Sequence, residues 1–389
     1  MQLLHKKITN CALHENMSRS RRELTSFHWN GTQWAPVASS ISSTKQMTNE
    51  TVRLATLNIL ADCFPWFIEM AIRSNERFEW LCRAIVDLNP TILGLNEVTT
   101  NALEQLQQCS FIRENYFITE SVNENNSSVN GLLSPHGCVI LSRMPFEEVF
   151  AVSVSGSARE AVIGKVQLNN HSNTCVYVCS HHTTAYQTPK NAQLRSQQIR
   201  DIVDILQPLN IPYVIMGDLN LHYQFEDAIV TDNNFVDGWA QTHFSSIEPF
   251  NDGNEGFTFD AIKNTLIPYY IPGECRQMRL DRILFSSEFP AFSVKPCVLW
   301  ANQSIKSDNY LFPSDHFGLS IDLIATNSID NTQRAMYMGK SDPSVHEVLS
   351  RNAENNENRS AYSLGLVRRT VALVSHFGWL AAISLGLKK

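Results

Sequence analysis

From residue 51 to about 325 the chain alternates short apolar, β-branched runs with longer stretches in which apolar residues recur every three or four positions. That alternation is the signature of a layered α/β protein. The first run, Thr51–Asn58 (TVRLATLN), reads as a strand whose polar last residue opens onto a site. A helix follows: Ser74 or Asn75 can cap it, Glu76 sits in its first turn, and Phe78, Leu81, Cys82, Ile85 and Leu88 share one face before Asn89-Pro90 stops it. The next run, from Thr91 to Leu95, is short, apolar and preceded by Pro90, so it reads as a buried strand that delivers Asn96-Glu97 at its C-terminal end. Further strands are expected over Cys138–Leu141, Cys175–Ser180, Tyr213–Gly217, Leu280–Phe285 and Phe317–Ile321, with a helix from Asn191 to Leu206 between the second and third of these.

Outside that span the pattern breaks down. Residues 1–50 show no sustained period and read as a flexible leader, although its aromatic island FHWNGTQW, with Trp29 and Trp34, is suited to docking on a neighbouring surface. The Asn/Ser-rich stretch Asn123–Asn130 reads as a surface loop. Residues 326–389 form a linker and a helical C-terminal extension ending in the apolar run Val371–Leu387, interrupted only by Ser375, His376 and Ser384. That run is read as a packing helix or part of a protein-binding extension rather than a membrane anchor, because about 17 residues is the short limit for spanning a bilayer.

Composition narrows the class. With 43% hydrophobic and 18% charged residues the chain can bury a large core, which excludes global disorder. Its 31 basic against 38 acidic residues give a net charge of −7, which argues against retention on nucleic acid by bulk charge and leaves only a local basic groove. Arg143, Arg159, Lys165, Lys190, Arg195, Arg276 and Arg282 are available for one. The nine cysteines contain no CxxC pair and read as mostly buried, reduced thiols. With no apolar signal segment at the N-terminus, an intracellular setting, nucleus or cytoplasm, is expected.

The chemistry collects at strand ends: Asn58, Glu97, His181 with His182, Asp218 with Asn220, Asp281, and Asp315 with His316. Singly, each has a bland reading, since Asp218 can shape a turn and His181 can be a satisfied core histidine. Jointly they supply what phosphodiester hydrolysis needs: an oxygen ligand for a hard cation, a group to orient water, and donors for phosphoryl charge. No Walker loop, GxSxG elbow, HExxH or GxGxxG pattern competes.

These segments, TLN at 56–58, NEV at 96–98, SHH at 180–182, GDLN at 217–220, RLDR at 279–282 and SDH at 314–316, resemble the ordered motifs of the endonuclease/exonuclease/phosphatase superfamily. The resemblance implies a four-layer α/β sandwich, two packed sheets flanked by helices, over residues 51–325. It implies Mg²⁺, with Mn²⁺ as a substitute, held by Glu97 with Asp315 on the metal side and Asn58 beside it. Asp218 would orient or deprotonate the attacking water, Asn220 would position the phosphate, and His316, oriented by Asp281, would contact it. His181 would touch the phosphate or protonate the leaving group, while His182 points elsewhere.

Within the superfamily, NNFVDGW at 233–239, GFTFD at 256–260 and FPSDHFGL at 312–319 resemble the tyrosyl-DNA phosphodiesterase 2 subgroup. That implies DNA ends as partners in repair, with His222, Phe259 and Thr184 as substrate contacts. Three departures stand out: His222 replaces an expected Arg, Asn96 a Gln and Phe259 a Trp. TLNILAD at 56–62 also resembles poly(A)-trimming and 2′-phosphodiesterase relatives, which keeps an RNA substrate open; an inactive scaffold of the same fold is the reading from another class.

Overall fold

The computed structural model describes residues 21–37, 51–168, 174–222, 224–243, 255–289, 292–305 and 310–325. Two βαβ crossovers lie at its centre. Strand Thr51–Asn58 runs parallel to Ile92–Val98, with helix Ser74–Leu88 between them in the chain, and Cys175–Ser180 runs parallel to Tyr213–Asp218, with helix Pro189–Leu206 between them. Each parallel pair is extended by antiparallel neighbours into a mixed sheet. The first becomes a nine-stranded sheet through Gly318–Ala325 on one side and Gly137–Ser142 on the other; the second becomes a seven-stranded sheet through Glu160–Gln167 and Asp281–Phe285.

The sheets pack face to face, and strand periodicity sorts the side chains. Val176 and Val178, with Val214 and Met216, enter the core between the sheets beside Leu54, Ile92 and Ile140. Their alternates Tyr177, Cys179, Tyr213 and Ile215 face the other way, onto Ile199, Ile202 and Leu206 of helix Pro189–Leu206. Helix Ser74–Leu88 buries Phe78, Leu81 and Ile85 completely, each contributing about 1.5–3 kcal/mol over an exposed position. The sandwich is therefore the four-layer α/β arrangement expected from the motifs. The sheets approach closely at Gly94, where a Cβ would meet Met216 Cε at 2.9 Å and Ser180 Oγ at 3.1 Å.

The caps differ in part from expectation. Helix Pro189–Leu206 is capped by Thr188, whose side chain accepts from Asn191 N, with proline at its start. Helix Ser74–Leu88 has neither Ser74 nor Asn75 at its cap; Arg73 holds that position at φ 48°, without a side-chain cap, and Asn89 ends the helix at φ 54°.

The leader expected over residues 1–50 is corrected within its described part. Arg21–Glu23 adds an edge strand to the seven-stranded sheet against Glu148–Ser153, and Phe27–Trp29 with Trp34–Pro36 forms a hairpin on Phe117–Ile118 of the other sheet. Phe27 is buried, and the Arg113 guanidinium lies 4.4 Å over the Trp29 ring. Three-residue strands carry too little periodicity to read from sequence. The cysteines are also less buried than expected: among the described residues eight are unpaired, Cys138, Cys179 and Cys297 buried, Cys63 and Cys275 exposed. No helix among the described residues is long and apolar enough to cross a membrane. The extension at 326–389, with Val371–Leu387, lies outside the described residues.

Candidate active site

Both parallel pairs end at the same edge of the sandwich, and there Asn58, Glu97 and Asp218 meet. Asn58 Nδ2 donates to Glu97 Oε1 at 3.1 Å and to Asp218 Oδ2 at 3.0 Å, so one amide bridges a carboxylate from each sheet. Glu97 reaches this point through a local irregularity. The pairing of its strand with Gly137–Ser142 shifts register between Leu95 and Val98, and Glu97 takes φ 60°. A bulge of this kind re-aims a side chain, and a positive φ on Glu is strain held by its surroundings. Glu97 Oε2 also accepts from Ala61 N at 3.0 Å.

Asp218 depends on its own glycine. Gly217 has φ 141°, and a Cβ there would lie 2.0 Å from the His181 carbonyl oxygen and 2.7 Å from Asn96 Oδ1. Only glycine fits that approach. Asn96 then ties the sheets together: its Oδ1 accepts from Asp218 N at 2.8 Å, and its Nδ2 donates to Ser180 Oγ at 3.2 Å. Asn220, at φ 48°, donates its backbone N–H to Asp218 Oδ1 at 3.1 Å.

His316 enters from the turn before Gly318–Ala325. Its Nδ1 lies 2.7 Å from Asp281 Oδ2 and its Nε2 3.8 Å from Asp218 Oδ2, while the edge of Phe259 packs on its ring at 5.5 Å. Burial opposes the imidazolium, but Asp281, Asp218 and Asp315 outweigh it and raise its pKa well above the ordinary histidine value. Asp218 is pushed up to about 7 by burial, reinforced by Asp281 and Glu97 and opposed by His316 and the Asn58 hydrogen bond.

The histidine pair is reversed from expectation. His182, not His181, faces the carboxylates, with Nε2 3.4 Å from Asp218 Oδ2 and Nδ1 3.9 Å from Glu97 Oε1. Alternation gives the reason: His182 continues the Val176, Val178, Ser180 side that faces the other sheet, whereas His181 follows Cys179. Both ring nitrogens of His181 are buried without a hydrogen-bond partner, and burial, aided by Arg159, pushes its pKa down to about 3. Arg159 also lies against His182, 3.3 Å from Nδ1.

The remaining expected contacts divide. Asp315 is taken up by hydroxyls, Oδ2 accepting from Tyr270 at 2.5 Å and Oδ1 from Ser314 at 3.2 Å. Thr184 is held by Gln198, which bonds both its backbone N–H and its hydroxyl. His222 has two buried ring nitrogens without partners, and Phe259 is buried behind His316 rather than offering an open face. Several of the basic residues available for a groove are committed elsewhere: Arg195 to Glu226, Arg276 to Glu274, Lys165 to Glu147, and Arg282 to Asp227 and Asp237. Sequence reasoning missed His182, Asn96 as the inter-sheet tie and Tyr270; the period of two could have found the first.

Asp218, Asp281 and His316 stand close enough to hold a cation together. His316 Nδ1 is engaged with Asp281, however, and Asn58 turns its Nδ2 toward both neighbouring carboxylates, so the better oxygen donors for a hard ion are the carboxylates of Glu97 and Asp218. The crowding that raises Asp218 is what a divalent cation would relieve, so the donor set fits one.

The family model of the endonuclease/exonuclease/phosphatase family matches residues 55–316, which takes in the whole constellation. The chain belongs to this family. Members hydrolyse phosphoester bonds, and divalent metals are common among them. A comparison with curated proteins finds no match. Similar solved structures include truncated TDP2 of Caenorhabditis elegans, at 22% identity, 71% of this chain, 98% of that chain and TM-score 0.52. D. rerio TDP2 complexed with a single-strand DNA product has 17% identity, 71% and 100% coverage and TM-score 0.53. A mannosyl-6-phosphatase of Bacteroides thetaiotaomicron has 15% identity, 70% and 100% coverage and TM-score 0.51. At these identities the likeness bears on the fold.

Proposed function

We propose that this family member is a Mg²⁺-dependent phosphodiesterase that cleaves phosphodiesters at nucleic-acid ends, with a 5′-tyrosyl DNA end as the preferred substrate. The observation that carries the reading is Asp218, a buried carboxylate bridged by Asn58 to Glu97 and faced by two histidines of opposite character. Asp218 orients and deprotonates the attacking water. His316, kept cationic by Asp281, donates from Nε2 to the phosphoryl oxygen on which charge builds. His182, which burial and Arg159 keep neutral, holds the opposite side of Asp218. A Mg²⁺ ion on Glu97 supplies charge neutralisation for the phosphoryl group when bound. Water attacks phosphorus in a single step, giving its proton to Asp218, while the bond to the tyrosyl oxygen breaks and that oxygen departs as a phenolate, with no covalent intermediate.

The test is release of the tyrosyl group from a short 5′-tyrosyl DNA with and without Mg²⁺, beside an oligo(A) strand. Metal-dependent release from DNA and intact oligo(A) are expected. Cleavage of oligo(A) alone moves the substrate to RNA, and a folded, Mg²⁺-loaded protein that cleaves neither overturns the reading.

A further inference from the structure

Helix Trp66–Ile72 presents an apolar face that no described residue covers: Trp66 is 74% exposed, Phe67 54% and Met70 70%. A short helix ordinarily buries such side chains, and contiguous exposed apolar surface marks an interaction site. The helix is anchored from beneath by Ile68 and Ile72, which join the small core of Leu266, Leu311 and Phe312, so the outward face is fixed in place. Beside it lies a depression of about 450 Å³, lined by Asp62, Glu69 and Glu76 against a single cation, Arg73.

The charge of that surface decides what suits it. A phosphate backbone or an anionic membrane would meet the carboxylates, whereas an apolar segment with basic ends would place its charges beside them. The sequence contains such a segment. Val371–Leu387 is apolar but for Ser375, His376 and Ser384, with Arg368-Arg369 before it and Lys388-Lys389 after it. The 45 residues from 326 to 370 that separate it from the last described strand span up to about 150 Å when extended. A domain of this size has a radius of gyration of only about 19 Å, so the segment reaches any part of the surface.

We propose that Val371–Leu387 docks in cis on the face formed by Trp66, Phe67 and Met70, with its basic flanks against Asp62, Glu69 and Glu76.

The test places the photoreactive residue p-benzoylphenylalanine at Met70 in the full chain, where an exposed position tolerates it, and maps the adducts by mass spectrometry after irradiation. Adducts within 371–387 are expected, formed inside single chains when isotopically heavy and light protein are mixed. Phe377→Glu with Trp379→Glu, and separately Arg368→Glu with Arg369→Glu, should each lower their yield by about tenfold. Adducts that are absent, that fall elsewhere, that join only heavy to light chains, or that survive both pairs of substitutions would overturn the proposal.

Discussion

Two clusters of buried charge lie on either side of strand Asp281–Phe285, and they are built on opposite principles. On one side Asp237 accepts two bonds from Arg279, one from Arg282 and two from the backbone N–H groups of Trp239 and Ala240. Burial opposes its charge, yet the two guanidinium groups prevail and hold its pKa below the usual carboxylate range. On the other side Asp218, Asp281 and Asp315 share one imidazolium, with Glu97 beside Asp218; Asp218 is raised to about 7, and Asp281 Oδ1 is buried without a partner. The first cluster is electrically complete and belongs to the frame. The second carries an excess of acid that only a cation or a substrate proton balances, and that imbalance distinguishes a site from a scaffold.

The largest expected effect separates the two directly. Asp218→Asn should lower turnover by about 10³–10⁴-fold, the scale of a lost general base with its water-orienting oxygen. It should not destabilise the fold, since it removes a carboxylate that burial already disfavours. The sign in pH follows: with its folded pKa raised above the ordinary carboxylate value, Asp218 binds its proton more tightly folded than unfolded, so its own contribution to the stability of the metal-free protein rises as pH falls from about 7 to 4, against the loss from His181, His182 and His222, whose lowered pKa values act with the opposite sign. Denaturant titrations in chelator across that window should show the parent gaining stability relative to the variant as pH falls; a difference that does not change with pH would remove the imbalance on which the comparison rests.

Next in size is Arg282→Met, which breaks the complete cluster. It leaves Asp237 with one guanidinium and Asp227 with none of the bonds Arg282 gives it, and should cost about 3–5 kcal/mol in urea titrations. Turnover at a temperature where the variant is folded should change little. A loss of activity without a loss of stability would mean that Arg282 serves substrate after all.

What the sequence revealed follows from the range of each interaction. The strands buried on both faces, such as Tyr213–Asp218, and the long amphipathic helices were legible because their period repeats over six or more residues. Strands such as Arg21–Glu23 and Phe27–Trp29 take their structure from neighbours 100 or so positions away, and no local pattern encodes that. The site residues were legible as types at strand ends, but not their directions. RLDR reads as one basic motif, yet Asp281 turns to His316 while Arg279 and Arg282 turn to Asp237. The SHH pair was assigned by resemblance to His181, where alternation favoured His182, and the bulge that aims Glu97 is set by pairing with a strand 40 residues on.

The smallest effect tests the link between frame and site. The Asn96 amide spans the gap between sheets that Gly94 and Gly217 hold narrow. Asn96→Ala removes the acceptor of Asp218 N and the donor to Ser180 Oγ, leaving a buried N–H unpaired at a cost of about 1–3 kcal/mol. Because that N–H belongs to Asp218 itself, the same variant should lower kcat by about tenfold while KM holds, since about 1.4 kcal/mol of lost alignment is one decade of rate. Asn96→Gln keeps the amide but adds a methylene where no space is spare, so it should recover less than full stability. If Asn96→Ala loses stability and keeps its full kcat, the tie belongs to the frame alone, and the position of Asp218 is set by Gly217 and Asn58.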